Sequence, residues 1–235
     1  MREFGEGTSG SALGSAIAQL EGVARATPDE PFEVRQEAAV RQRDALVRWA
    51  DDRGLILDPK EFPERPVPGG AEHEVFPFEG EFWKITHTDS FGWVPSAGDD
   101  GLPEVVCATP LDYLTRWKLV NWVLGDRVLL RGITHIDEGL SLVISQPAIA
   151  GENAEPDQIR SRFEQAGFRS LRRFVMGAEA DSSYYDPNRR LGIFDASGDN
   201  VLNSGGIIVP IDVVVVVASE ALHRQFLDLI ASRRC

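Results

Sequence analysis

The chain has 235 residues, of which 43% are hydrophobic and 26% charged, so it can bury a substantial core. Its formal net charge of −13 opposes contact with the phosphate backbone of nucleic acids, which argues against a nucleic-acid partner. The two cysteines, Cys107 and Cys235, belong to no CxxC or Cys/His cluster, so we expect neither a zinc site nor a disulfide framework.

The apolar segments do not have the pattern of membrane or export signals. The N-terminus lacks a basic region followed by an apolar core, so no signal peptide is expected. Residues 207–218 are apolar, but they include Pro210 and Asp212 and are too few to span a bilayer. We therefore expect a cytoplasmic protein without membrane contact.

Local signals divide the first part of the chain into a tail, a helix and a linker. Residues 1–14 are rich in Gly and Ser and are predicted to be disordered. Apolar residues at helical spacing predict a helix over Glu33–Arg53, which Gly54 ends. Four prolines between residues 59 and 68 predict a linker. We place a boundary there, between residues 1–68 and a main domain of residues 69–235.

The middle of the chain alternates between hairpins and helices. Strands over Glu74–Phe78 and Glu81–Thr86 are predicted to form a hairpin through Glu79-Gly80. Thr109 is predicted to cap a helix that ends at Gly125. The remaining predictions are a loop over Ser90–Gly101, strands over Arg127–His135 and Leu140–Ser145 with a turn at Asp137-Glu138-Gly139, a connector over Gln146–Asn153, a helix over Ile159–Ala166 ended by Gly167, and a helical piece near Leu171–Met176.

The stretch Leu191–Asp212 is the most informative part of the sequence. Two apolar runs flank a loop that carries Asp195 and Asn200, and a short hairpin then leads back to Asp212. Asn200 follows Asp195 by five residues and precedes Asp212 by twelve. This spacing suits phosphoryl transfer, with one acid that receives a hydroxyl proton and an amide and a carboxylate that hold Mg²⁺. Strands, helices and hairpins in this order, closed by a helix over Glu220–Ser232, predict an α+β fold with two lobes about a connector near Gln146.

Several residues of the first lobe have two interpretations. Lys84 lies among apolar strand neighbours, where it either reaches an anion or occupies the solvent face of a half-exposed strand. Gly69 and Gly70 either allow the backbone to approach phosphates or end the linker. Asp112 is either an acid that pairs with Lys84 or the acid of a capping box, and Glu104 is a rival for the pairing role.

The acids of the second lobe are weighed in the same way. Asp195 and Asn200 are residue types that commonly form turns, so either of them is also explained as a turn residue. Asp212 is different, because apolar residues on both sides predict that it is buried, and an unpaired buried carboxylate is costly. Either a cation or a hydrogen-bond network must compensate for that cost, and together with Asp195 and Asn200 we favour the cation.

These segments resemble a known family, the kinase-like domain of polyvalent proteins, which is found in phages and mobile elements. The likeness covers about residues 69–217. The segments that carry it are Gly70-Ala71-Glu72-His73-Glu74-Val75-Phe76 with Lys84, Ala108-Thr109-Pro110-Leu111-Asp112-Tyr113-Leu114, Gly125-Asp126, Ser145-Gln146-Pro147, Gly151-Glu152, Asp195-Ala196-Ser197-Gly198-Asp199-Asn200-Val201-Leu202 and Ile211-Asp212.

The resemblance implies a reduced bilobal protein-kinase-like fold, with a small antiparallel-sheet N-lobe and a short helical and hairpin C-lobe. It implies an ATP- and Mg²⁺-dependent phosphotransferase that acts on a hydroxyl group of a protein or small molecule. In the first lobe, the resemblance implies that Lys84 contacts the phosphates with Gly69 and Gly70 nearby, and that Asp112 forms an ion pair with Lys84. Residues 146–149, which include Gln146 and Ala148, would form the hinge beneath the adenine. In the second lobe, Asp195 would accept the proton, and Asn200 and Asp212 would bind Mg²⁺.

Three departures from the family pattern support an alternative function. Ile193 stands where many relatives of the wider fold have histidine, and Ser197-Gly198-Asp199 replaces a frequent His-Pro-Gly. Asp199 adds negative charge beside the expected metal site. Only 23 residues follow Asp212, so an activation segment for peptide substrates is not expected. The alternative is a nucleotide-binding pseudokinase or an interaction module without turnover.

Overall fold

The computed structural model describes residues 9–62, 66–67, 70–136, 139–177 and 179–232. The chain forms two units, the first from residues 1–92 and 107–148 and the second from residues 93–106 and 149–235. Each unit contains helices and small antiparallel sheets, which is the predicted α+β class. Both sides of residue 68 lie in the first unit, and the predicted domain boundary there stays a prediction.

The secondary-structure elements are named in chain order. The helices are α1 (Ser9–Val23), α2 (Phe32–Asp51), α3 (Pro110–Leu124), α4 (Pro156–Gln165) and α5 (Glu220–Ala231). The strands are β1 (His73–Phe78), β2 (Glu81–Thr86), β3 (Trp93–Ala97), β4 (Pro103–Cys107), β5 (Leu129–Ile136), β6 (Gly139–Pro147), β7 (Glu152–Asn153), β8 (Arg169–Ser170), β9 (Tyr184–Asp186), β10 (Leu191–Phe194), β11 (Val201–Ser204), β12 (Ile207–Pro210) and β13 (Val214–Val217). Of the helices within the described residues, none combines the length and the apolar character that crossing a bilayer requires.

The first unit is built on a four-stranded antiparallel sheet in the order β1-β2-β6-β5. The predicted hairpin of β1 and β2 is confirmed, and its turn residues Glu79 and Gly80 both have positive φ values, 49° and 85°. Such a turn matches the right-handed twist of the flanking strands. The hairpin of β5 and β6 is also confirmed as a strand pair, while Asp137 and Glu138 of its predicted turn lie outside the described residues.

Helix α1 corrects the prediction of disorder from Ser9 to Gly14, because the helix already begins at Ser9. Residues 1–8 of that prediction lie outside the described residues. Its buried face is formed by Leu13, Ala16, Ile17 and Leu20, which recur every three or four residues. Trp49 of α2 donates a hydrogen bond of 3.1 Å from its indole nitrogen to Ser15 Oγ. The Gly and Ser content of the segment obscured this apolar period, and packing against α2 offsets the low helix propensity.

Helix α3 begins and ends as predicted. Thr109 and Asp112 form a capping box, and Gly125 follows the last turn with a left-handed φ of 72°. The same Asp112 carboxylate accepts a 2.9 Å hydrogen bond from Arg35 of α2, and the two side chains are almost completely buried. Burial raises the pKa of Asp112, while Thr109 and Arg35 oppose that rise. Asp112 therefore joins α2 to α3, and its observed ionic partner is Arg35.

Replacing Asp112 is expected to reduce stability strongly. Asp112→Ala leaves the buried Arg35 guanidinium without its carboxylate and removes the capping box, which should lower the free energy of unfolding by about 3–5 kcal/mol. Urea denaturation measures this loss. Asp112→Asn, which retains an oxygen acceptor for Arg35, should lose clearly less. Equal losses in the two variants would contradict the role given to the ion pair.

The second unit contains a hairpin that the sequence did not predict. Strands β3 and β4 pair with each other, so the loop predicted over Ser90–Gly101 is wrong between Trp93 and Ala97. The hairpin packs on α5, where Gln225 Nε2 donates a 2.8 Å hydrogen bond to Gly98 O. Pro95 and the glycines of this segment resembled a loop, and its strand conformation depends on the partner strand and on α5.

Two further sheets complete the second unit, in the orders β13-β10-β9-β8 and β12-β11-β7. Phe174, Phe194 and Phe226 pack together in its core. The helical piece predicted near Leu171–Met176 is not helical, because this segment forms a turn tied to the sheet by a 2.7 Å bond from Leu171 N to Ser183 O. The predicted connector Gln146–Asn153 is partly strand, since β6 includes Gln146 and β7 pairs with β11.

Candidate functional site

Lys84 is buried in the centre of the sheet of the first unit. It lies on β2 opposite Val75 of β1 and Ile144 of β6, and only 5% of its surface is exposed. Its Nζ atom is 5.1 Å from the centroid of the Trp117 ring of α3. The solvent-face interpretation of Lys84 is therefore wrong, and a buried ammonium must be compensated by its surroundings.

Gly70 occupies a position that only glycine tolerates. Its φ is +119°, and a Cβ atom there would lie 2.5 Å from the carbonyl oxygen of His73. The chain therefore makes a close turn immediately before β1. Gly69 lies outside the described residues. Phosphate contact by either glycine stays a prediction.

A buried ion pair near Gly70 was not predicted from the sequence. Arg116 of α3 is 3% exposed, and its Nη1 and Nη2 atoms lie 2.9 and 2.8 Å from the two carboxylate oxygens of Glu72. The carboxylate of Glu72 lies against the backbone of Gly92, where any Cβ would clash. The guanidinium lies over the rings of Tyr113 and Trp117. A charge on the apolar face of a helix was the signal that could have identified Arg116.

The end of β6 holds the residues predicted to lie beneath an adenine. The Gln146 side chain donates a hydrogen bond to the carboxylate of Asp126, and Ala148 N donates to Gly80 O at 2.9 Å. The turn after β1 is thus bound to the segment after β6. The adenine contacts of Gln146 and Ala148 stay predictions.

In the second unit, hydrogen bonds connect the three candidate site residues of the stretch 191–212. Asn200 Nδ2 donates a 2.8 Å hydrogen bond to the backbone oxygen of Asp195. The backbone oxygen of Asn200 accepts hydrogen bonds from Ile211 N at 2.8 Å and Asp212 N at 3.3 Å. Asn200 is thus the link between an acid in the loop after β10 and an acid after β12. Because its nitrogen faces Asp195, its amide oxygen is the atom suited to a cation.

Asp195 has an unusual backbone conformation. It follows β10 directly and has a φ of +54°, a region that Asn and Asp enter more often than other residues with a Cβ atom. Asp212 lies in a bend between β12 and β13 and is half-buried, so the expectation of a fully buried acid is wrong. The apolar residues on either side of Asp212 belong to two separate strands, which are connected by this bend.

Gly177 contacts Asp195 and was also not predicted. A Cβ atom at Gly177 would lie only 1.8 Å from Asp195 Oδ1, and the φ of Gly177 is +100°. The carboxylate therefore lies directly on the backbone of this glycine. A sequence motif could not reveal the contact, because the two positions are eighteen residues apart in the chain.

Gly177→Ala is expected to displace the Asp195 carboxylate and to lower the free energy of unfolding by about 1–3 kcal/mol. Gly206→Ala is the matched control, since Gly206 also has a positive φ, of 90°, but has open space around its Cβ position. Urea denaturation of both variants separates backbone strain from the clash with Asp195. If Gly177→Ala were no more destabilising than Gly206→Ala, the contact with Asp195 would be unimportant for stability.

The chain also matches the model of a known protein family. A family model named Kinase-PolyVal, described as a Serine/Threonine/Tyrosine Kinase found in polyvalent proteins, matches residues 39–219, well over half of the chain. The chain belongs to this family. The resemblance inferred from the sequence is thereby confirmed, and the match includes Lys84, Asp195, Asn200 and Asp212. No curated protein and no solved structure matches the chain.

The donor atoms of this Kinase-PolyVal member suit a magnesium ion that also binds phosphates. Among the described residues, no group of three or more His, Cys, Asp or Glu side chains is arranged to hold a metal. Asn200 and Asp212 offer one amide oxygen and one carboxylate. Mg²⁺ is commonly held by one or two such protein groups, with waters and substrate phosphates as further ligands. Asp199 Oδ1 accepts a 3.0 Å hydrogen bond from Asn153, which engages the extra acid of the loop.

A small pocket of about 40 Å³ lies next to the Asp195 loop in this Kinase-PolyVal member. Its lining includes Ala196, Arg160 of α4, Tyr184 of β9 and acids of the loop 179–182. Burial raises the pKa of Tyr184 to about 12, so its hydroxyl remains a neutral hydrogen-bond donor at neutral pH. The pocket is thus lined by groups of both charges and by Ala196, which follows Asp195 in the chain.

Proposed function

We propose that this protein is an ATP- and Mg²⁺-dependent phosphotransferase with a reduced bilobal kinase-like fold. The observation that carries the proposal is the set of hydrogen bonds by which Asn200 joins Asp195 to Asp212. Membership of a kinase family supports the same conclusion. A loop acid, an amide and a second acid are the groups that phosphoryl transfer requires for orienting the nucleophile and binding the metal.

Each residue has a distinct role in the proposed reaction. Asp195 orients the acceptor hydroxyl and takes its proton as the hydroxyl oxygen bonds to the γ-phosphorus and ADP leaves. Lys84 binds the α- and β-phosphates. Asn200 and Asp212 would hold Mg²⁺, which neutralises the phosphate charge when bound. The protein therefore contributes mainly positioning and charge stabilisation.

The remaining predicted contacts are part of the same proposal. The close turn at Gly70 permits a backbone approach to phosphates, and residues 146–149 lie beneath the adenine. The acceptor in this proposal is a hydroxyl group of a protein or of a small molecule. The net charge of −13 argues against a nucleic-acid partner, and a nucleotide can bind where Mg²⁺ and Lys84 neutralise its phosphates. The proposal places the protein in the cytoplasm, without membrane contact.

A pseudokinase is the second candidate function. Ile193 is completely buried in β10, at the position where many relatives of the wider fold have histidine. This chain therefore lacks a polar side chain at the position two residues before Asp195. A protein of this kind would bind ATP and Mg²⁺ and serve as an interaction module without turnover.

The experiment that tests the proposal is a thermal-shift titration with ATP in the presence and absence of Mg²⁺. Wild type should show a Mg²⁺-dependent rise in melting temperature, because a ligand that binds only the folded state stabilises it. Lys84→Met should abolish the rise, whereas Lys118→Met, which removes an exposed lysine of α3, should retain it. Absence of any shift in wild type at millimolar ATP would contradict both candidate functions.

Turnover then separates the two candidates. Transfer of labelled γ-phosphate to an acceptor, or slow hydrolysis of ATP, supports the phosphotransferase. Tight Mg²⁺-dependent binding with no transfer and no hydrolysis supports the pseudokinase.

A further inference from the structure

Two buried cations lie against one indole ring in the first unit. Lys84 Nζ is 5.1 Å and Arg116 Cζ is 4.7 Å from the centroid of the Trp117 ring. Trp117 itself is completely buried. Both distances lie within the 6 Å range in which a cation is attracted by the negative face of an aromatic ring, and the attraction is strongest for Trp and for desolvated groups.

Helix α3 offers no carboxylate at the level of Trp117. Its sequence, PLDYLTRWKLVNWVL, contains one acid, Asp112, in the first turn. The Asp112 carboxylate binds Arg35 and Thr109. On this helix Lys84 contacts the ring of Trp117, while its predicted pairing with Asp112 stays a prediction.

The polar edge of the Trp117 indole does not explain why this residue is a tryptophan. Among the described residues, Trp117 Nε1 has no hydrogen-bond partner although it is buried. A buried donor without an acceptor costs free energy that phenylalanine or leucine at the same place would avoid. Both cations lie over the ring, and such contacts are favourable when the groups are buried.

The Glu72 carboxylate reduces the repulsion between the two cations at the Trp117 ring. Glu72 binds Arg116 through both of its oxygens, so the guanidinium charge is balanced on the spot. The paired Arg116 can then stack on Trp117 with less repulsion toward the ammonium of Lys84. Glu72 also precedes β1 by one residue, so this pair joins α3 to the turn that begins at Gly70.

We propose that Trp117 is a positioning residue that holds the Lys84 ammonium, through its indole face, in place for the nucleotide phosphates. The inference rests on the proposed function, and it extends that function by assigning to Trp117 a part in positioning the ammonium that contacts the phosphates. Arg116 and Glu72 hold the indole from α3 and from the segment before β1.

NMR tests the contact without any nucleotide. The chain contains three lysines, Lys60, Lys84 and Lys118, so selective labelling of lysine ε-carbons gives three signals. The ε-protons of Lys84 should be shifted upfield by the ring current of Trp117, with the assignment made from Lys84→Arg. The shift should persist in Trp117→Phe and vanish in Trp117→Leu. An unshifted Lys84 signal in wild type would overturn the proposal.

ATP affinity tests the positioning role. Trp117→Phe should bind ATP within about threefold of wild type, whereas Trp117→Leu should bind about 10- to 30-fold more weakly, as expected for loss of a desolvated cation–π contact. Trp49→Leu is the matched control, because Trp49 is equally buried on α2 and its loss should reduce stability without changing ATP affinity. All affinities are measured well below the melting temperature of each variant.

The outcomes separate this proposal from the proposed function. Equal ATP affinity in Trp117→Phe and Trp117→Leu would overturn the positioning role even if wild type is an active kinase. If Trp117→Leu does not fold, Trp117→Phe alone provides the test. Loss of the upfield shift of the Lys84 signal in Trp117→Phe would then overturn the contact. If wild type binds no ATP, the proposed function fails, while an upfield Lys84 signal still supports the contact with Trp117.

Discussion

Asp195→Asn is expected to lower the turnover number by about 10²- to 10⁴-fold, the range that a positioned general base contributes. The substitution removes the proton acceptor and retains nearly the same shape. It should also preserve the loop, because asparagine tolerates the positive φ of this position and the Asn200 amide binds the backbone oxygen rather than the carboxylate. Nucleotide affinity should therefore change little.

Steady-state turnover and an ATP titration on the same preparation provide this comparison. Asp199→Asn is the matched control, since it removes the same charge four residues later from a side chain that binds Asn153. Its turnover should be that of wild type. A similar loss in both variants would show that Asp195 acts only through its negative charge, and full turnover of Asp195→Asn would end its assignment as the proton acceptor.

Asp212→Asn is expected to abolish the Mg²⁺ dependence of ATP binding and to reduce turnover by at least 10²-fold. With Asp212 neutral, the proposed site contains two amides and no carboxylate, and Mg²⁺ strongly prefers an ionised oxygen ligand. Loss of a group that stabilises charge in the transition state commonly costs about 10²- to 10³-fold in rate. The backbone bond from residue 212 to Asn200 does not depend on the side chain and should remain.

Calorimetric titration of ATP at a series of Mg²⁺ concentrations measures this effect. Asp228→Asn controls for the change in net charge, because Asp228 is an exposed acid on α5. It should retain the Mg²⁺ dependence of wild type. Asp212 would not be the metal ligand if its asparagine variant required the same Mg²⁺ concentration as wild type.

Features that depend on neighbouring residues along the chain were predictable from the sequence. The capping box of Thr109 and Asp112, the left-handed Gly125 and the Glu79-Gly80 turn are each encoded within a few residues. The hairpin between Asn200 and Asp212 is also short, so their approach followed from the spacing. Predictions failed where composition hid the period, as in α1, or where distant packing determined the conformation, as in β3 and residues 171–176.

Tertiary structure alone decided which polar groups meet across long sequence separations. Arg35 meets Asp112, Glu72 meets Arg116, and Gly177 meets the Asp195 carboxylate. The sequence by itself determined the family, the local elements and the order of the candidate site residues, because these depend on short patterns and spacing. The partner of a buried charge was not predictable, since burying a charge or an acceptor is tolerated only where packing supplies a compensating group, and that group can come from any part of the chain.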